Sequence, residues 1–232
     1  MKVFIIGLLD CLFPPLCVGC THRLVQGETL ICTICFSTFP ETNSHMVVDH
    51  AITDRFIGKA AITYGLALYK LKKQSLLEQV LFAMKYKNQP KIGELLGHCY
   101  GNSLSKYPSI VKTIDAIVPV PLHHKRLQER GYNQSDFFAK GLSVSLQIPF
   151  YPTCIERTRN TPSQIHKSKE ERMVNVKDAF KVTQSNLLTD KHLLLVDDIL
   201  TTGATLIACT KALLAKGAGQ VSIATIAVVE EA

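Results

Sequence analysis

The chain has 232 residues, 47% apolar and 19% charged, with 26 Lys and Arg against 19 Asp and Glu for a formal net charge of +7. This composition excludes a disordered tail, and no run of about 18 uncharged apolar residues offers a spanning helix. The charge is uneven: residues 51–190 carry +10 and both ends are slightly acidic, a field that favours anionic partners such as phosphorylated metabolites or nucleic acid.

At the N-terminus, Lys2 and the apolar residues 3–9 have the look of a signal peptide. Asp10 stands where such a peptide needs a small residue, and no small-x-small cleavage site follows. The stretch is therefore expected to be a short amphipathic helix ended by Phe13-Pro14-Pro15. A cytoplasmic protein with reduced thiols and no membrane span is expected.

Five of the eight cysteines lie in the first 35 residues. Cys17-x2-Cys20 is followed after eleven residues by Cys32-x2-Cys35. Each CxxC turn presents two thiolates, and two such knuckles close a tetrahedral zinc site. Gly19 and Gly27 are expected to supply permissive backbone at the turns. Four protein ligands leave no open position, which makes the zinc structural rather than catalytic. Cys11 and His22 are read as bystanders, and Cys99, Cys154 and Cys209 as small hydrophobes.

Further along, residues 60–70 read as a strand, and residues 74–87 have apolar positions at helical spacing. Residues 91–106 read as a second helix, and 114–118 as a strand stopping at Pro119-Val120-Pro121. A helix over 135–146 is capped by Asn133 or Ser135. Residues 153–156 read as a short strand, and Ser168 opens a capping box for a short helix. Residues 192–196 form a buried-type strand, 205–215 a helix with Gly217 just past its end, and 220–229 a final strand. Strand, helix, strand predicts a βαβ unit, parallel pairing and a sheet covered on both faces.

The segment 192–205 carries the most chemistry. Four apolar residues precede Asp197 and Asp198, and Thr201, Thr202, Gly203, Ala204 and Thr205 lead straight into a helix. Ligands of open α/β sheets lie at the carboxyl ends of the strands. A small-residue loop at a helix N-terminus offers N–H groups and hydroxyls to a phosphate. The two acids are acceptors suited to sugar hydroxyls or to a Mg²⁺ shell. A simple cap needs only one such residue.

LLLVDDILTTGAT resembles the phosphoribosyl diphosphate (PRPP) signature of type I phosphoribosyltransferases. With the four-cysteine finger, the chain resembles the ComF/GntX family over nearly its whole length. The blocks MKYKNQPKIGELLG, VPVPLHHKRLQERGYNQS, RTRNTPSQIHKSKEERMVNV and GAGQVSIATIAVV carry this likeness. The resemblance implies an α/β, parallel-sheet phosphoribosyltransferase-like domain over 51–232, behind a zinc-binding module over 1–50. Residues 51–115 would form the variable hood and 116–232 the PRPP-binding core.

The resemblance also implies roles. Asp197 and Asp198 would hold the ribose hydroxyls, and the catalytic set would be these two acids with Arg130. Thr201, Thr202, Gly203, Ala204 and Thr205 would take the 5′-phosphate. Pro119, Val120 and Pro121 would form the diphosphate loop, in which the Val120–Pro121 bond can be cis at modest cost. Lys125, Arg126 and Arg130 would donate to diphosphate oxygens. Arg157, Arg159, Gln164, Arg172 and Asn175 would belong to the mobile lid. The implied cofactors are structural Zn²⁺ and Mg²⁺ bound with PRPP.

Three functions stand. One is a phosphoribosyltransferase of the amidophosphoribosyltransferase-like type. The second senses PRPP or another phosphorylated ribose ligand. The third is a zinc-finger adaptor in DNA uptake, binding single-stranded DNA or a DNA-processing protein. Few aromatics interleave with the basic residues in sequence, so no stacking platform is evident. An oligomer is compatible with all three.

Overall fold

The computed structural model describes residues 13–158 and 179–230. The expected N-terminal helix, Cys11, the capping box at Ser168 and the lid residues Arg159, Gln164, Arg172 and Asn175 lie outside the described residues.

Four parallel strands form the central sheet. They are β1 (Gly65–Leu71), β2 (Ala116–Pro119), β5 (His192–Leu200) and β6 (Gln220–Val229), in the order β1-β6-β5-β2. A separate antiparallel pair joins β3 (Ile155–Arg157) to β4 (Phe180–Val182). The helices are α1 (Thr33–Thr38), α2 (His50–Thr53), α3 (Leu76–Tyr86), α4 (Lys91–Leu104), α5 (Pro108–Val111), α6 (His124–Arg130), α7 (Gln134–Leu146) and α8 (Ala204–Ala215).

The period-two alternation of strand side chains explains why β5 reads as a continuous apolar run. Leu194 and Val196 enter one core with α3, α4 and α7; Leu193 and Leu195 enter a second with α8. Both faces of the sheet are thus covered, as the βαβ reading requires. Gly217 (φ 96°) follows the last turn of α8, and Asn133 caps α7 by accepting from Ser135 N–H.

The expected strand over 192–196 instead runs to Leu200. Asp197 and Ile199 keep their register with Thr225 and Ala227 of β6, so the two acids sit within the sheet's last rungs rather than after it. The strand expected over 60–70 begins only at Gly65, and it pairs with β6 in the same sheet as the strands from 116–232.

The cysteine module is not a free-standing appendix. Cys17, Ile31, Cys32, Cys35 and Phe39 share the first core with Leu77, Val80 and Leu81 of α3. Phe39 packs edge-on against Tyr69 at 5.3 Å. Glu41 bridges to Tyr69, while Thr42 N–H donates to the Leu68 carbonyl and Lys70 N–H to the Pro40 carbonyl. The chain leaving the module therefore lies along the outer edge of β1, a position where unpaired backbone groups would otherwise face solvent. Among the described residues, no helix is long and apolar enough to cross a membrane.

Candidate functional site

The carboxyl ends of β5 and β2 and the N-termini of α7 and α8 converge on one region. Asp197 Oδ1 accepts from Ser135 Oγ (2.9 Å) and from Asp198 N–H (2.9 Å). Burial, with Asp198 as the second cause, pushes the Asp197 carboxyl up to about 7 against those donors and the Lys85 cation. Lys85 Nζ, from the last turn of α3, lies 3.0 Å from Asp198 Oδ2. Both side chains are largely shielded, 19% and 15% exposed, so this pair is stronger than a typical surface ion pair.

The strand runs from these acids into a small pocket lined by Asp197, Thr201, Thr202, Gly203, Ala204 and Thr205. Gly203 caps α8 at φ 77°, a left-handed conformation that disfavours a side chain. The first turn of α8 forms this pocket's wall, where the Ala204 N–H donates to Thr202 Oγ1 (3.5 Å). Arg55, beyond α2, packs its Cβ near Gly203 and donates from Nη2 to the Val229 carbonyl (2.6 Å), placing a cation behind the loop.

On the other side, Pro119 is in register with Val196 and Val120 N–H donates to the Val196 carbonyl (2.8 Å). Asn133 Nδ2 donates to the Val120 carbonyl (3.0 Å) and to Asp136 Oδ1 (2.7 Å), tying this turn to the start of α7. Burial pushes Asp136 up to about 6, with the Asn133 donor opposing. The peptide joining Val120 to Pro121 is trans, so the turn does not use the cis form open to it. Pro121 fits the turn with its ordinary geometry, because tertiary amides cost little in either form.

Beyond the turn, α6 has no buried residue. His123 caps it by accepting from Lys125 N–H at 3.3 Å. Burial, followed by His124, Arg157, Lys125 and Arg126, holds the His123 imidazole below its usual range. Arg157 lies over the Phe180 ring at 5.5 Å. Burial and the charge of Arg126 pull Arg157 down, with Cys209 and Asp197 opposing. Arg130 Nη1 donates to Gln134 Oε1 (2.9 Å), and its guanidinium lies 5.3 Å from the Tyr86 ring centre. The structure therefore gathers Asp197, Asp198, the 201–205 loop, the 119–121 turn and the Lys125, Arg126, Arg130 and Arg157 cations around one end of the sheet. Sequence reasoning missed Ser135 and Lys85 as partners of the acids, and Asn133 as the brace of the turn.

At the other end of the chain, the Sγ atoms of Cys17, Cys20, Cys32 and Cys35 all lie within 4.8 Å of one another. The pairs Cys17–Cys35 and Cys20–Cys32 are 3.7 and 3.6 Å apart. A tetrahedral ion with sulfur bonds of about 2.3 Å requires sulfurs about 3.8 Å apart, so these four fit a metal ion such as zinc. Burial raises the Cys17 thiol, but N–H donors from Cys20, Cys32 and Gly19 outweigh it and bring it down to about 6. Gly27 (φ 93°) makes its turn as expected; Gly19 is needed instead for space, since a Cβ there would lie 3.1 Å from Cys35 Sγ. His22 is exposed and outside the cluster.

Comparison with known proteins agrees with this geometry. Residues 136–231 match the phosphoribosyl transferase domain model. The chain is 38% identical to Competence protein F of Haemophilus influenzae over 114 residues, half the length of each protein. It is 28% identical to the DNA utilization protein YhgH of Escherichia coli, covering 90% of this chain and 95% of that one. It is 26% identical to Competence protein ComFC of Bacillus subtilis, covering 87% of this chain and 78% of that one. With its four-cysteine cluster ahead of a parallel-sheet phosphoribosyltransferase domain, the chain is similar to these competence and DNA utilization proteins, which supports the likeness to the ComF family.

Proposed function

We propose that the protein binds Mg²⁺ and PRPP, or another phosphorylated ribose, and transfers or senses the phosphoribosyl group in a process that handles incoming DNA. One observation carries this reading: two acids on the last rungs of β5 lead directly into a phosphate-sized loop at the start of α8. The names of the relatives, competence and DNA utilization proteins, support the link to DNA.

In this reading Asp197 and Asp198 accept the ribose hydroxyls. The N–H groups and hydroxyls of residues 201–205 bind the 5′-phosphate, helped by the α8 dipole. Pro119, Val120 and Pro121 form the diphosphate turn, and Lys125, Arg126 and Arg130 hold the departing negative charge. Arg157, with Arg159, Gln164, Arg172 and Asn175, belongs in this reading to the lid that excludes water. Bound Mg²⁺ would supply charge to the diphosphate oxygens, with Asp197 and Asp198 the acids on hand to orient it. Zinc on Cys17, Cys20, Cys32 and Cys35 is structural, and the protein is cytoplasmic; none of the seven described cysteines is in a disulfide. Residues 1–50 are taken as the module and 51–232 as the transferase-like domain.

The second reading is a non-catalytic adaptor that binds nucleic acid, favoured by the +10 charge of residues 51–190. The test is Mg²⁺-PRPP binding followed by thermal melting, then PRPP-dependent diphosphate release across amine, base and nucleic-acid acceptors. A raised melting temperature that vanishes in the Asp197→Asn, Asp198→Asn double variant is expected. Release with one acceptor class identifies a transferase, and a shift without release identifies a sensor. No shift in the wild type overturns the PRPP reading.

A further inference from the structure

Between the end of α3 and α6 lies an open cleft of about 690 Å³, lined by Lys85, Tyr86, Asn88, Arg126, Glu129 and Arg130 among others. It adjoins the acids, because Lys85 reaches from its wall to Asp198. Its chemistry is unlike that of the phosphate loop. Tyr86 is 61% exposed and Phe82 51% exposed, with ring centres 4.9 Å apart. Such pairs normally seek cover, because exposed aromatic area costs free energy. Here the rings sit one helical turn apart on the solvent side of α3, with Arg130 held 5.3 Å from the Tyr86 ring centre.

Three cations and one acid line the cleft. Exposed aromatic rings with arginines beside them are what a single nucleic-acid strand requires. Bases stack on rings or on guanidinium planes, and the phosphates track the cations. A duplex keeps its bases stacked on one another and offers no free face. The one-dimensional pattern hid this platform, because Tyr86 meets Arg130 only when α3 and α6 come together.

We propose that this cleft is the binding track for single-stranded nucleic acid, with a base stacked at Tyr86 and Phe82 and phosphates on Lys85 and, while no diphosphate holds them, on Arg126 and Arg130. This rests on the nucleic-acid partner named above and places it beside the phosphoribosyl site. The track commits to a polymer rather than a free nucleotide because the cleft is open and holds three cations, more than one phosphate needs.

The test measures anisotropy of a labelled oligodeoxythymidine with the full-length, zinc-loaded protein. Tyr86→Ala and Phe82→Ala are each expected to weaken binding by about tenfold, within the usual range for losing one stacked base. Tyr86→Trp should restore it. The wild-type affinity should fall with salt at a log–log slope near −2, as expected for about three neutralised phosphates on a single strand. All three variants should keep the wild-type melting temperature and its Mg²⁺-PRPP shift, which separates a lost track from a lost fold. Unchanged oligonucleotide binding in Tyr86→Ala overturns the proposal. So does equal affinity for a duplex of the same length, or for thymidine monophosphate. A wild type that binds the strand but shows no PRPP shift leaves the track standing and removes the phosphoribosyl reading instead.

Discussion

At the scale of single residues, the site is built from groups placed against their own stability. Asp197 is driven up to about 7 by burial and by Asp198. A carboxyl whose folded value exceeds its unfolded value stabilises the fold most at low pH, and that contribution is lost as pH rises from about 4 through 7. Asp197→Asn should therefore raise the melting temperature of the ligand-free protein at pH 8 while removing the Mg²⁺-PRPP shift, a trade found where function needs an unfavourable charge. Ser135→Ala removes the donor at 2.9 Å and should weaken Mg²⁺-PRPP binding by about 1–3 kcal/mol, the usual range for a bond to a charged group; calorimetric titration against the wild type measures it. The acids themselves were legible, since two carboxylates after an apolar run are rare. Ser135 and Lys85 were not, because they lie 62 and 113 positions from the acids they touch. Short-range patterning carries no sign of such contacts.

At the scale of elements, α7 is placed by close contact with α4. A Cβ on Gly97 would collide with the Phe138 carbonyl oxygen and would come within 2.9 Å of Gly141 Cα. Both are backbone atoms and cannot turn aside. Gly97→Val is expected to cost at least about 2 kcal/mol and to lower the Mg²⁺-PRPP shift, since α7 presents Asn133 and Ser135 to the site; chemical denaturation and ligand melting give the two numbers. On the opposite face of the sheet, Gly203→Val forces a branched side chain into φ 77° and should cost about 1–3 kcal/mol while reducing phosphate affinity. Helices and strands with strong periodicity were readable before the structure. Of the β3–β4 pair, β3 was read over residues 153–156; β4 and the extension of β5 through Leu200 were not, because a three-residue strand carries little pattern and charged residues end an apolar run on paper but not in a sheet.

For the whole molecule, the cysteine module and the transferase-like sheet share one core. Removing the metal should therefore do more than unravel a finger. A chelator, or Cys20→Ser, is expected to release about one zinc per chain and to lower the melting temperature of the entire protein, because Cys17, Cys32 and Cys35 pack with Val80 and Leu81 of α3. Hydrogen exchange should show faster opening in residues 76–86 as well as in 13–40; protection lost in 13–40 alone would mean that the shared core is only a contact. The spacing of the two CxxC pairs announced the metal site. It said nothing of where that site would rest, since docking is decided by apolar faces that meet only in three dimensions.

The ion pair between Lys85 and Asp198 makes the two sites that meet at the end of α3 thermodynamically reciprocal. The Lys85 ammonium cannot both neutralise Asp198 and bind a strand phosphate. A ribose that occupies Asp198 frees the ammonium for a strand phosphate, and a strand that draws Lys85 away uncovers Asp198 for the ribose. Linkage makes the two effects equal in size. Ribose 5-phosphate, which takes Asp198 but leaves Arg126 and Arg130 to the strand, should therefore tighten oligonucleotide binding by the factor by which the oligonucleotide tightens ribose 5-phosphate, and Lys85→Met should reduce both factors to one. A chain built this way would hold a strand most firmly when a ribose phosphate is in place, with one lysine as the common element.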